Sequence, residues 1–323
     1  MRTKLNLRPA YLAGALTIAI PASALALTQG QSLAQSASQL TVYPQRVHYG
    51  GEVTVTGTTS STDSGQQVVL AYRQPGAQWR PLAYTNVQGD GSFRFTTRLW
   101  RSGQLSVQTA SGTQTATTAL ASLQPAAAGT ATGDQLAGTS TQPVTVAAKL
   151  VVPKAQRDVL SGQAVDVRGR LVPGFAGRTV QLEGRNGGGW QKLATAQTSA
   201  SGRFDLRYTP GGPGTKRLRV RFLGDVANGP SSTHSGRLTA YHVSGASWYD
   251  DSGGTACGFR ATMGVANKTL PCGTHVTLHY GGHTVTAVVD DRGPFVDGRD
   301  WDLNQNTAAA LGFGGVDSVW SSV

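Results

Sequence analysis

The middle of the chain repeats itself. Gly51, Trp79, Gly91 and Phe93 recur 111 residues later as Gly162, Trp190, Gly202 and Phe204. Between these anchors, Gly-Gln-Gln-Val-Val-Leu-Ala-Tyr-Arg (65–73) corresponds to Gly-Arg-Thr-Val-Gln-Leu-Glu-Gly-Arg (177–185). One structural unit is therefore used twice, and each copy must close a core of its own. Apolar and polar residues alternate in Val53-Thr54-Val55-Thr56 and in Leu218-Arg219-Val220-Arg221-Phe222, and Gly89-Asp90-Gly91 and Ala200-Ser201-Gly202 mark turns. Period-two strands punctuated by Gly, Asp and Ser predict an antiparallel immunoglobulin-like sandwich for each copy, over 39–122 and 144–242. Neither copy contains a cysteine, so each core rests on packing alone. Trp79 and Trp190 are expected inside, the alternative being exposed platforms for sugar rings.

The flanking text sets the context. Arg2, Lys4 and Arg8 precede an apolar run, Tyr11 to Ile20, and then Ala24-Leu25-Ala26. This pattern predicts a secretory signal peptide over 1–26. The run is too short for a stable membrane span and no longer one follows, so a secreted, extracellular or wall-associated protein is expected. Residues 27–38 and 123–143 are rich in small polar residues without apolar period and are expected to be linkers, the second one flexible. Cys257 and Cys272 are the only cysteines. In an exported chain they predict one disulfide, and closing a loop of about 15 residues contributes about 3 kcal/mol.

Charge is unevenly distributed. The formal net charge is +11, yet from Gly245 onward four cations (Arg260, Lys268, Arg292, Arg299) face eight aspartates, leaving the middle of the chain at +12. A basic exported region suits anionic wall polymers, such as teichoic-acid-type phosphates or peptide-stem carboxylates, before nucleic acid. A generic solubilising charge is the plainer alternative. No phosphate loop, nucleophile–histidine pair or dinucleotide fingerprint is present, and no cofactor is expected.

Residues 243–323 carry the chemistry. Val276 to Tyr280 and His283 to Val289 alternate around Gly281-Gly282, which predicts a hairpin whose second strand delivers Asp290 and Asp291 to its far end. Asp302-Leu303-Asn304 precedes an Ala-rich stretch stopped by Gly312, so Asn304 or Asp302 is expected as a helix N-cap. His275, His279 and His283 recur every fourth residue, but on a hairpin this spacing describes a polar edge, so no metal site is expected. Two carboxylates brought to one rim, Asp291 and Asp302, would let one stay ionised and raise the pKa of the other for proton donation. The structural alternatives are a helix cap for Asp302 and an ion pair with Arg292 or Arg299 for Asp291. Asp290, Asp297 and Asp300 are expected as solvated loop acids.

The motifs Gly-Ala-Ser-Trp-Tyr (245–249), Gly-Gly-Thr-Ala-Cys-Gly (253–258), Asn-Lys-Thr-Leu-Pro-Cys-Gly-Thr (267–274), Val-Val-Asp-Asp-Arg-Gly-Pro-Phe (288–295) and Asp-Trp-Asp-Leu-Asn (300–304) resemble, in order, those of the rare lipoprotein A (RlpA) family. The family includes relatives of expansins and of membrane-bound lytic transglycosylase A. The resemblance covers about a quarter of the chain and implies a six-stranded double-psi β-barrel with a short helix, so the whole chain is expected to be all-β. It also implies action on the glycan strands of peptidoglycan, as a lytic transglycosylase or as a non-catalytic loosening module. Asp302 and Asp291 take the family's catalytic positions. Trp248, Tyr249, Phe295, Trp301, Arg292 and Asn267 are the implied glycan contacts, with core packing as the alternative for the aromatic residues. Phe259 and Asn267 stand where active members carry a glutamate and a histidine, and Asn304 stands where serine is usual.

Overall fold

A computed structural model describes residues 40–109, 141–250 and 253–323. The segment expected to be a signal peptide, the first expected linker and most of the second lie outside these residues. The chain is all-β apart from a single α-helix among the described residues.

The first sandwich is built from β1 (Thr41–Tyr43), β2 (Arg46–Val47), β3 (Gly51–Thr58), β4 (Gln67–Arg73), β5 (Arg80–Asn86), β6 (Ser92–Leu99), β7 (Gly103–Thr109) and β8 (Gln142–Val146). One sheet runs β1-β3-β6 and the other β2-β8-β7-β4-β5. The inward members of each alternating strand close the core, with Val53, Val55, Phe93 and Phe95 of one sheet facing Leu70, Tyr72 and Leu105 of the other. The second copy repeats this plan with β9 (Lys149–Val151), β10 (Ala155–Leu160), β11 (Val165–Val172), β12 (Thr179–Arg185), β13 (Gln191–Gln197), β14 (Arg203–Tyr208), β15 (Gly214–Phe222) and β16 (Ser231–Tyr249). Its sheets are β9-β11-β14 and β13-β12-β15-β16-β10, closed over Val167, Leu171, Val180, Leu182, Leu206 and Leu218. A parallel edge pair occurs in each copy, β2–β8 and β10–β16. The bulge in β4 at Leu70/Ala71 has its counterpart in β12 at Leu182/Glu183.

This pairing corrects the expected linker. Residues 142–146 are the last strand of the first sandwich: β8 pairs with β7, and Val144 and Val146 lie in the first core. The polar stretch before them thus interrupts one sandwich between β7 and β8 rather than separating two. The next domain begins almost at once, since Ala148 already packs in the second core. In the second copy the matching β15–β16 connection is short and bolts the sandwiches together. Asn228, with no exposed surface, donates to Trp100 O (2.9 Å) and Val146 O (3.2 Å) and accepts from Arg178 Nη2 (3.2 Å). Arg178, itself 5% exposed, also pairs with Asp225 at 2.8 Å.

The expected core tryptophans are a second correction. Trp79 and Trp190 are only half-buried and lie under guanidinium groups, Arg73 at 4.6 Å from the first ring and Arg219 at 4.2 Å from the second. Cation–π stacking holds them at the sheet surface, where the indole keeps access to water.

β16 does not stop at the second sandwich. Its first half pairs with β10 and β15, and its second half enters the barrel. The barrel adds β17 (Gly264–Ala266), β18 (His275–Tyr280), β19 (His283–Asp291), β20 (Trp301–Asn304), α1 (Gln305–Leu311) and β21 (Asp317–Ser321). Strand order β16-β20-β17-β19-β18-β21 returns to β16 through the β16–β21 pair, so six strands close a ring and leave no edge. Val265, Leu278, Val289, Trp301, Leu303 and Val319 fill it. At the junction the buried Tyr241 donates to Asp158 Oδ1 (2.8 Å) and packs against His279 and Trp320 of the barrel. His279 is therefore partly buried at an inter-domain contact rather than on a free hairpin edge.

Candidate functional site

The site begins with a bulge. Between β17 and β19, Val265 opposes Val289 but Ala266 opposes Asp291, leaving Asp290 as the extra residue. The bulge turns Asp290 inward, where it is completely buried and its Oδ2 accepts from Ala261 N at 2.8 Å. Asp290 is thus a structural acid, not the solvated loop residue the sequence suggested. It fits only because residue 264 is glycine, since a Cβ there would stand 2.3 Å from Asp290 Oδ2. The same bulge re-aims Asp291.

Asp291 and Asp302 are the two lateral partners of one residue. Ala266 pairs with Asp291 on one side and with Asp302 on the other, and Asp302 pairs in turn with Ser247 of β16. Register partners share a face, so Asp291, Ala266, Asp302 and Ser247 form one row across four strands, opposite the face that carries Val265 and Leu303 into the core. The two aspartate backbones are about 10 Å apart, two strand spacings. A methyl group is all that stands on the strand between them.

Each carboxylate is held differently. Asp291 Oδ1 accepts from Ala256 N (2.7 Å) and Arg292 N (2.8 Å), so backbone amides and not a guanidinium stabilise its charge. The expected ion pair with Arg292 or Arg299 does not form. Asp302 Oδ1 accepts from Ser247 Oγ at 2.8 Å. Burial lifts the Asp302 carboxyl above its ordinary pKa, and the charge of Asp291 adds to the lift. The hydrogen bond from Ser247 and the nearby Arg299 oppose it without cancelling it. Asp302 is not the helix cap. Asn304 takes that role, accepting from Thr307 N at 2.9 Å, and Gly312 closes the helix in the left-handed region at φ 65°.

The remaining predicted site residues divide into struts and surface. Arg292 donates through Nη1 to Asn267 O (3.2 Å) and Leu270 O (2.8 Å). Asn267 accepts from Thr269 N and Leu270 N and donates to Asp300 O at 3.1 Å. Both side chains therefore hold the loops around the row. Asp300 belongs to the same scaffold, accepting from Gly245 N at 3.1 Å. The Cys257–Cys272 disulfide ties the 253–263 loop to the 267–274 loop. Trp301 is 2% exposed and part of the core, so it offers no ring to a ligand. Trp248 (44% exposed) and Phe295 (83% exposed) do present aromatic surface, while Tyr249 is partly buried. Phe259, also 43% exposed, adds to that surface where the sequence showed only a missing acid. Among the described residues no group of His, Cys, Asp and Glu is arranged to hold a metal ion, and no helix is long and apolar enough to cross a membrane.

Sequence reasoning missed Ser247 and Gly264. Ser247 lies inside the Gly-Ala-Ser-Trp-Tyr stretch, but only the parallel β16–β20 pairing places its hydroxyl on Asp302. Comparison with family models gives a match over this domain. Residues 242–318 match the family model described as "Lytic transglycolase", the double-psi β-barrel of the RlpA and expansin kind. No curated protein matches the chain. Among solved structures, one chain from "Structural basis of T cell specificity and activation by the bacterial superantigen toxic shock syndrome toxin-1" is 14% identical, with 29% of this chain and 98% of that one covered at a TM-score of 0.23. At that score the likeness bears on neither fold nor function.

Proposed function

We propose that the protein is exported and cleaves peptidoglycan glycan strands at the barrel's aspartate row, in the manner of a lytic transglycosylase. The observation that carries this is the row itself: two carboxylates flanking Ala266, of which Asp302 is biased by burial toward its protonated form. In the proposed step Asp302 gives its proton to the glycosidic oxygen as the bond to C1 breaks. The sugar's own 6-hydroxyl then closes on C1, giving a 1,6-anhydro end without consuming water. Asp291, oriented by two backbone amides, balances the oxocarbenium-like charge and takes up the hydroxyl proton. Phe259 and Phe295, in the loops beside Asp291, supply flat apolar surface for sugar faces, whereas Trp248 pairs in register with Leu303 and starts from the opposite face of the sheet. The signal-peptide pattern at 1–26 and the disulfide support an exported setting.

A second reading rests on one specific observation. The position where active relatives carry histidine is Asn267, whose side chain is fully engaged in loop contacts, and the glutamate position is Phe259. The same row and its aromatic flank would then grip glycan and loosen its packing without cleavage. Mass spectrometry of peptidoglycan incubated with wild type and with Asp302→Asn separates the two. Cleavage predicts anhydro-muropeptides from wild type and at least about a hundredfold less from the variant. Binding to insoluble wall with no soluble product would instead establish the loosening role.

A further inference from the structure

The second sandwich carries a charge arrangement that its own fold compensates only at one end, where Arg185 stacks over Trp190. Arg185 of β12, Arg217 of β15 and Arg237 of β16 are consecutive register partners, so three guanidinium-bearing side chains stand side by side across three strands. All three are exposed, and Gln156 of β10 continues the row beside Arg237. Like charges directly opposite one another destabilise a sheet. Among the described residues none of the three makes a salt bridge or a side-chain hydrogen bond. The acids of this face are engaged elsewhere: Glu183 with Arg219 at 2.5 Å and Arg221 at 3.4 Å, and Asp158, which accepts from the Tyr241 hydroxyl at 2.8 Å. Lys154 lines the same open groove as Arg217 and Arg237, and Arg185 lines the adjoining one with them.

The first sandwich is the built-in control. The equivalent register there reads Arg73, Gln104 and Pro143. Its single cation is satisfied: Arg73 donates to Gln104 Oε1 at 2.6 Å and covers Trp79. The fold therefore does not require three cations in this row; in the second copy Arg185 stacks over the Trp190 ring at 5.5 Å, as Arg73 does over Trp79, while Arg217 and Arg237 have no matching internal contact among the described residues.

We propose that this face of the second sandwich is a binding site for a linear phosphodiester polymer of the cell wall, with Arg185, Arg217, Arg237 and Lys154 as its phosphate contacts. The proposal rests on the wall setting argued above but uses none of the barrel's chemistry. Neighbouring guanidinium groups across strands lie about 5 Å apart at Cβ, and their long stems reach successive phosphates of an extended chain crossing the strands. A single-stranded nucleic acid fits less well. Such ligands stack bases on open aromatic rings, and the indole of this face, Trp190, is covered by Arg219 at 4.2 Å and flanked by His234.

Titration of the full chain with poly(glycerol phosphate), with salt varied, tests this. Wild type is expected to bind with a steep salt dependence. Arg217→Gln combined with Arg237→Gln should lose at least about tenfold in affinity and reduce the log–log salt slope by about two. Arg73→Gln in the first sandwich should change neither. A thermal melt at low salt guards against misfolding, because removing the repulsion should leave the double variant at least as stable as wild type. Unchanged binding in the double variant overturns the proposal. So does an equal loss in Arg73→Gln, or tighter binding of single-stranded DNA than of the phosphate polymer. Failure of peptidoglycan cleavage leaves these outcomes unaffected, so the two readings fail separately.

Discussion

One strand, β16, takes part in two rows of like charge. Near its start Arg237 closes the row Arg185–Arg217–Arg237, and ten residues on, about 33 Å along the strand, Ser247 closes the row Asp291–Ala266–Asp302. The rows solve the same electrostatic problem in opposite ways. Carboxylates can relieve repulsion by taking a proton, so the acidic row is drawn into the structure and backed by amides, a hydroxyl and a disulfide. Guanidinium groups cannot titrate at physiological pH, so the basic row stays in water and meets its counter-charge there. Structure has been built around the first row; the second was added to the outside of a finished sandwich.

That difference predicts very unequal responses to substitution. The largest is at the support of the acidic row. Gly264→Ala places a methyl group against the buried Asp290 carboxylate and should destabilise the barrel by about 2–3 kcal/mol in denaturant unfolding. Glycan action should fall with it, because the bulge that aims Asp291 is lost. An unfolding curve matching wild type would mean that the bulge tolerates displacement of Asp290, and the contrast between the rows would collapse.

A smaller effect of opposite sign is expected at the basic row. Arg217→Gln reproduces the first sandwich's Arg73–Gln104 arrangement in the second. It should stabilise the protein by a few tenths of a kcal/mol at low ionic strength, and the gain should vanish as salt screens the row. A destabilised variant would show that Arg217 supports the sheet rather than burdening it.

The two rows were also unequally legible in the sequence. Strand alternation, the repeat and the Gly-Gly hairpin are local signals and sufficed for β-sandwiches and a hairpin, while the small barrel at the end of the chain was legible only through the ordered motifs that resemble the RlpA family. Asp291 and Asp302 were found through their motifs. Their shared neighbour Ala266 and their partner Ser247 were not, because lateral pairing among four strands leaves no trace in linear spacing. Asp290 was misjudged for the same reason, since a one-residue bulge reverses which of two adjacent aspartates faces in. The basic row was visible only as an excess of charge. Placing Arg185, Arg217 and Arg237 side by side needs the register of three strands. Likewise β8 was lost to its polar flank: five residues with a proline carry too little pattern to announce a core strand. Only its pairing with β7 returns it to the first sandwich.

The finest test of the contrast is pH. Because burial holds the Asp302 pKa above that of the unfolded chain, the folded state keeps this proton more tightly. Below the ordinary value of 3.8 the group is protonated in both states and the favourable contribution is fully present. As pH rises through the raised folded value that contribution is lost, and at neutral pH ionised Asp302 works against the fold. Asp302→Asn keeps an oxygen for the Ser247 hydroxyl and removes the charge beside Asp291. The variant should therefore melt slightly above wild type at pH 7, with the advantage shrinking as the pH is lowered toward 3.8. The basic row has no such signature, so Arg217→Gln should give the same small shift at pH 5 and pH 7. A pH-independent shift for Asp302→Asn would place its carboxylate outside the buried, mutually repelling row, and with it the reason for assigning the proton donor to Asp302.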